Sequence, residues 1–140
     1  MTPVDATVFH HQAISAAALW TGLSLILLLV LTVRVSLHRR ALKVSLGDGG
    51  HPALNVAGRA FGNAVEYLPI GLVAIVLVAL LGYSAAFIHV LGATLFIGRV
   101  LHAIGMHSAK QPGLGRLLGM ILTYLAFLGA AVALVVGVFL

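Results

Sequence analysis

Between Ala13 and Val33 the chain has 21 consecutive residues without a charged side chain. At 1.5 Å per residue, a helix of about this length crosses a hydrocarbon core of ~30 Å. Only 8% of all residues are charged and 61% are hydrophobic, whereas a typical soluble domain has about 25% charged residues. So few polar groups cannot cover a globular surface in water, and the chain is therefore predicted to be an integral membrane protein.

Including this one, four predominantly apolar stretches follow one another along the chain. We predict an all-α fold, a single four-span transmembrane domain over residues 1–140, with spans at about 13–33, 56–81, 85–106 and 116–139. The N-terminal residues lack the basic start of a secretory signal, so the first span is expected to be retained. The first helix is expected to continue beyond the membrane to Lys43. The turn-forming segment Gly47 to Pro52 then separates it from the second helix.

Basic residues flank only the first and third connections: Arg34, Arg39, Arg40 and Lys43 at the first, and Lys110 and Arg116 at the third. The second connection and both termini contain no lysine or arginine. Under the positive-inside rule, the first and third connections face the cytoplasm and both termini face away from it.

A polar stripe lies at the start of the second helix. Arg59, Asn63 and Glu66 fall within about 60° of one another on one helix face, and Glu66 is the only glutamate in the chain. An unpaired charge at membrane depth costs at least ~2.5–3.5 kcal/mol. Such a stripe is therefore a candidate functional site.

Other helices bring cations to the same membrane level. The third helix contains Arg99 and His102, which are one turn apart. Arg116 lies at the start of the fourth helix, and Arg34 lies at the end of the first span. Four or more arginines cannot be neutralised by one glutamate. The excess charge predicts an anionic ligand with carboxylates or phosphates, which guanidinium groups bind in a bidentate manner.

Two Gly-xxx-Gly pairs, Gly58/Gly62 and Gly115/Gly119, lie beside these arginines in the sequence. Their small faces are expected to let neighbouring helices approach closely.

Simpler structural roles remain open for each group. The basic residues of the first connection are also typical of topology signals and lipid-headgroup anchors. The stripe on the second helix could be an interhelical network, and His102 could be a core histidine. The absence of cysteine excludes disulfides and thiolate metal sites, and the histidines show no metal-ligand spacing. Nucleic-acid binding would need basic residues spread over a soluble face, so no nucleic-acid partner is expected.

The segment Arg59 to Pro69 has the pattern Arg-Ala-x-x-Asn-x-x-Glu-Tyr-x-Pro. This pattern resembles the signature of the MAPEG family, the membrane-associated proteins in eicosanoid and glutathione metabolism. The basic end of the first helix, the Gly-Asp-Gly-Gly turn and the segment Gly98 to Ala103 are similar to those of bacterial members. The resemblance covers nearly the whole chain.

The resemblance implies a homotrimer of four-helix protomers in the bacterial inner membrane, with glutathione bound between subunits near the cytoplasmic face. It implies that Arg116 stabilises the glutathione thiolate. It also implies that seven residues bind glutathione: Arg34, Arg59, Asn63, Glu66, Tyr67, Arg99 and His102. On the first helix Arg39 and Arg40 are alternatives to Arg34, which we favour because it lies closest to the membrane.

The resemblance thus implies a glutathione-dependent transferase or peroxidase that acts on lipophilic electrophiles. Many catalytic members have a tyrosine one turn beyond the third-helix His or Tyr, where this chain has Met106. That departure favours a second hypothesis, a non-catalytic lipid-binding or scaffold member of the family. A small transporter that uses Glu66 is the third hypothesis, and the absence of a second acid in the spans argues against it.

Overall fold

The computed structural model describes residues 3–107 and 113–139, together with their side chains except those of residues 3–7 and 9. In these residues the chain forms four α-helices: α1 (Pro3–Leu42), α2 (Pro52–Leu80), α3 (Ala85–Gly105) and α4 (Leu114–Gly137). All four are long and apolar enough to cross a membrane. The predicted all-α membrane architecture is therefore confirmed. Lys110 in the third connection lies outside the described residues.

The α1 helix is longer than its predicted span. It begins at Pro3, because the polar N-terminal residues continue the helix, and it ends at Leu42. Its end is a Schellman motif, in which Lys43 adopts a left-handed φ of 55° and the Val44 N–H bonds to the Arg39 carbonyl at 3.0 Å. The other three helices begin and end within four residues of the predicted spans.

Asp48 holds the turn between α1 and α2. Its carboxylate accepts hydrogen bonds from the Gly50 N–H at 3.0 Å and from the Asn55 side chain at 2.6 Å. Gly50 itself has a φ of 76°, which glycine adopts without strain. Because Asn55 lies in the first turn of α2, these bonds fix where the helix starts.

The link between α2 and α3 is short, as its sequence predicts. Gly82 has a φ of 85°, and the Ser84 side chain caps α3 by accepting the Phe87 N–H at 3.3 Å. Between them, Tyr83 donates its hydroxyl to the Ala133 carbonyl at 2.8 Å. This bond ties the link to the far end of α4.

Helices α2 and α3 form the centre of the bundle, because each packs against the other three helices. Alanines of α1 (13, 16 and 17) and of α4 (126, 130 and 133) are buried in the core. Leu68 and Ile75 of α2 and Leu95 of α3 are fully buried beside them. Large leucines and valines point outward instead, which suits a chain whose surroundings are lipid rather than water.

The α3 and α4 helices cross with their backbones in contact. A side chain on Gly105 would overlap the Arg116 backbone nitrogen, and one on Gly119 would lie 2.8 Å from the His102 Cα. The prediction for the Gly115/Gly119 pair is therefore confirmed. Gly58 and Gly62 differ, since a side chain at either position would meet nothing within 4 Å. No helix of the described protomer approaches that face of α2.

We predict that Gly105→Ala destabilises the protomer, because the new methyl group would overlap the α4 backbone. Overpacking of this kind costs about 1–3 kcal/mol. The matched control is Gly22→Ala on α1, where a side chain meets nothing within 4 Å and alanine is the better helix former by about 1 kcal/mol. Thermal unfolding in detergent should show a lower midpoint for Gly105→Ala only. Equal midpoints would contradict the backbone crossing.

The Asp48 turn should loosen at acid pH. The hydrogen bond from Asn55, and then that from the Gly50 N–H, hold the pKa of the Asp48 carboxyl below its usual value of 3.8. A lowered folded-state pKa stabilises the turn above pH 3.8, and this contribution is lost as pH falls through the folded-state pKa. Hydrogen-exchange protection of the Gly50 amide should therefore be pH-dependent in this acid range. In Asp48→Ala the protection should be low throughout; persistent protection in that variant would contradict the role of the carboxylate.

Candidate functional site

Arg99 is the centre of the candidate site. It lies on α3 with only 1% of its surface exposed. Its guanidinium donates to the Asn63 Oδ1 atom at 2.6 Å and to the Gly119 carbonyl at 3.1 Å. It also contacts the Met120 sulfur at 3.3 Å and lies 5.0 Å from the centre of the Tyr67 ring. One side chain thus joins α2, α3 and α4.

The glycine crossing explains how Arg99 reaches α4. Because Gly119 has no side chain, the α3 backbone comes close enough for the guanidinium to bond the Gly119 carbonyl. The same carbonyl accepts the Thr123 hydroxyl at 2.8 Å. The Gly119 carbonyl can accept both hydrogen bonds, from Thr123 and from Arg99, because a carbonyl oxygen has two lone pairs.

None of these Arg99 partners carries a negative charge. They are an amide oxygen, a carbonyl, a thioether and an aromatic ring. The Arg99 Nε atom is buried and has no hydrogen-bond partner. Neutral dipoles and the ring face stabilise the guanidinium, but they leave its positive charge uncompensated. This end of the bundle is therefore positive inside as well as on its surface.

Tyr67 forms an aromatic wall of the site. Its ring lies near both the Arg99 guanidinium and Phe127 of α4, with 6.0 Å between the centres of the two aromatic rings. Tyr124 of α4 lies close enough to interact electrostatically with both Tyr67 and Arg99. Two phenol groups therefore belong to the surroundings of Arg99.

His102 lies one turn beyond Arg99 and is 4% exposed. Its backbone packs against Gly119, where a side chain on that glycine would meet it. The histidine is thus part of the α3–α4 contact and lies on the same side of α3 as Arg99.

The remaining predicted site residues are exposed on the protomer: Arg34, Arg59, Glu66 and Arg116. Arg34, Arg59 and Arg116 lie toward the same end of the bundle as Arg99, because each is within about two turns of the first or third connection. Glu66 lies about two turns further along α2 than Arg59, near the middle of that helix. The predicted set therefore divides into two groups. Asn63, Tyr67, Arg99 and His102 lie around the α3–α4 crossing, whereas the other four are exposed on the surface of the protomer.

Sequence reasoning did not identify three contributors to the Arg99 environment. The Gly119 carbonyl is a backbone group, so no residue type signals it. Met120 and Phe127 are apolar residues in an apolar helix, and nothing distinguishes them from lipid-facing neighbours. Only the Gly-xxx-Gly pair gave a sequence signal, and it indicated close packing rather than a hydrogen bond.

Comparison with known proteins finds a matching family and two similar relatives. The model of the MAPEG family matches residues 17–136. The inner membrane protein YecN of Escherichia coli strain K12 is 37% identical over 91 residues, which cover 65% of this chain and 70% of YecN. YecN of Escherichia coli O6:H1 gives the same values.

We predict that Asn63→Ala destabilises the protein, because it removes the 2.6 Å hydrogen bond to a buried cation. Loss of a hydrogen bond to a charged group costs about 1.5–3 kcal/mol. Asn63→Asp is the matched variant, because it keeps the acceptor and adds a counter-charge. Thermal unfolding in detergent should show a lowered midpoint for alanine and an unchanged or raised one for aspartate. A midpoint that alanine leaves unchanged would show that the bond contributes little.

Proposed function

The chain belongs to the MAPEG family, and we propose that it is a glutathione-dependent membrane enzyme of the transferase or peroxidase type. Its second substrate would be a lipophilic electrophile that arrives from the bilayer. The observation that carries the proposal is the uncompensated positive charge around Arg99, at the end of the bundle where Arg34, Arg59 and Arg116 are exposed.

Glutathione is chemically complementary to such a surface. It has two carboxylates and one ammonium group, and the surface offers several guanidinium groups and one carboxylate, that of Glu66. Guanidinium groups bind carboxylates with paired hydrogen bonds, while Glu66 would receive the ammonium. Asn63 and Tyr67 would complete the wall, since both already contact Arg99.

We further propose that the enzyme is a homotrimer and that glutathione binds between subunits. Two features of the protomer support a neighbouring copy at this place. Arg34, Arg59, Glu66 and Arg116 are exposed on a single chain, and the Gly58/Gly62 face of α2 meets no helix of its own protomer. A second copy packed on that face would enclose the exposed residues.

Arg116 would activate the thiol. It lies in the first turn of α4, where its backbone N–H bonds the Gly113 carbonyl at 2.9 Å. A thiol ionises near pH 8.5 in water, at about its unperturbed pKa. A guanidinium and the positive end of a helix dipole both favour the thiolate. The thiolate sulfur would donate its electron pair to an electrophilic carbon, and the leaving group would depart with the pair of the broken bond.

Met106 favours one alternative, a non-catalytic lipid-binding or scaffold protein of the same family. This residue ends α3 as its C-cap, where many catalytic relatives have a tyrosine. Such a protein would hold a lipid at the same proposed site between subunits and would not ionise glutathione. Tyr67 and Tyr124 are the phenol groups near Arg99 that could serve a catalytic role instead.

We propose that the protein resides in a bacterial inner membrane, in keeping with the name of its relative YecN. The charge distribution supports an orientation with the first and third connections in the cytoplasm and both termini outside. Glutathione would then reach the site from the cytoplasm, and the membrane lipids would deliver the second substrate.

We predict that the purified protein binds glutathione and generates the ultraviolet absorbance band of its thiolate. Arg116→Ala should still bind glutathione, but should lose the band and lower conjugation of a lipophilic electrophile by about 10²–10³-fold, as removal of one electrostatic stabiliser does elsewhere. Lys43→Ala is the matched control, because it removes a basic side chain at the same end of the bundle but outside the proposed site. It should change neither signal.

The same titration separates the hypotheses. Absence of glutathione binding would refute the proposed function, whereas binding without a thiolate band would support the non-catalytic alternative. Turnover that survives in Arg116→Ala would refute the role given to that arginine.

A further inference from the structure

A second polar contact lies at the opposite end of the bundle from Arg99. The Trp20 Nε1–H of α1 donates a hydrogen bond to the His89 Nδ1 atom of α3 at 3.1 Å. The two rings meet edge to face at 79°, with 6.2 Å between their centres. His89 lies in the second turn of α3, so the contact is close to the chain termini and the α2–α3 link.

This bond gives α1 a directional attachment to α3. Other polar side chains of α1, those of Thr21, Thr32 and His38, bond to carbonyls of α1 itself. The buried face of α1 near Trp20 consists of the small residues Ala13, Ala16, Ala17 and Ser24, and the Ser24 hydroxyl bonds to no other described side chain or backbone group. The Trp20 ring sits directly over Gly92, where any side chain would overlap it. The sequence therefore leaves room for the ring and places an acceptor beside it.

The donor determines the protonation state of His89. An indole nitrogen can only donate, so His89 Nδ1 must be unprotonated and the neutral ring carries its proton on Nε2. A charged imidazolium has protons on both nitrogens. Uptake of one proton would therefore place two N–H groups opposite each other and break the bond.

An open cleft between α1 and α3 borders His89. The cleft has a volume of about 410 Å³, and its polar lining consists of His11, Gln12, Ser15 and His89. His11 is the other titratable group in this lining, and its ring lies 3.5 Å from the Ser15 hydroxyl. No lysine, arginine or acid lines the cleft among the described side chains.

Few other charges can influence this histidine. Residues 70–80 of α2 and 125–137 of α4, which form the same end of those helices, contain no titratable side chain. Tyr83 lies in the α2–α3 link, and His10 is next to His11 on α1. Asp5 also lies on α1, but its side chain is outside those that the structure describes.

We propose that His89 is a proton-operated latch that holds α1 to α3 at the end of the bundle bearing the termini. The neutral ring accepts the Trp20 bond and keeps the latch closed. Proton uptake from that side opens it and widens the cleft between the two helices. The proposal rests only on the Trp20–His89 contact and does not depend on glutathione chemistry.

The first test uses Trp20 as its own reporter, since it is the only tryptophan in the chain. Its emission should fall and move to longer wavelength as pH is lowered from neutral, because a proton on Nδ1 would break the bond to the indole. His89→Gln should abolish the transition, because the amide oxygen still accepts the bond but does not titrate. His11→Gln is the matched control and should keep it. A transition that persists in His89→Gln, or vanishes in His11→Gln, would overturn the proposal.

The second test measures the helix separation directly. The chain has no cysteine, so Ile14→Cys and Val90→Cys, both exposed positions on α1 and α3, provide a spin-label pair. The distance between labels should lengthen or broaden at acid pH, and His89→Gln should suppress this change. Trp20→Phe lacks the donor and should show the acid-type distance at neutral pH. An unchanged distance in the parent pair, or a closed one in Trp20→Phe, would refute the latch.

Discussion

The contact between the α3 and α4 backbones governs the rest of the structure. Helices in a membrane gain little from burying apolar surface against each other, so close packing and interhelical hydrogen bonds must hold them together. Gly98, Gly105, Gly115 and Gly119 remove the side chains that would keep the two backbones apart. The resulting proximity brings the Gly119 carbonyl within 3.1 Å of the Arg99 guanidinium. The close packing at these glycines thus brings together the polar groups around Arg99.

The described partners of Arg99 include no acid. An arginine in a membrane helix commonly pairs with an acid or with backbone carbonyls. Arg99 bonds to neutral groups, the Asn63 side chain and the Gly119 carbonyl. Glu66, the only glutamate of the chain, is exposed on α2. In the part of the protomer that the structure describes, an acid is therefore exposed at the surface while a positive charge is buried inside. This separation suits a zwitterionic ligand such as glutathione better than it suits a self-contained network.

The two ends of the bundle use polar groups in different ways. At the end with the first and third connections, a permanent cation joins α2, α3 and α4. At the other end, a neutral histidine joins α1 to α3 through a bond that a proton can break. Helix α3 takes part in both contacts, which places the permanent charge and the titratable group on one central helix.

The sequence by itself determined the helix number, the membrane environment and the level of the basic residues, because charge-free length and charge position are local properties of the chain. The family pattern at Arg59 to Pro69 was equally local. Only the tertiary structure decided that Asn63, rather than Glu66, pairs with Arg99, and that the Gly119 carbonyl and the Trp20–His89 bond take part. These are contacts between residues 20 to 69 positions apart. They depend on how helix faces rotate toward one another, which periodicity within a nearly uniform apolar helix does not specify.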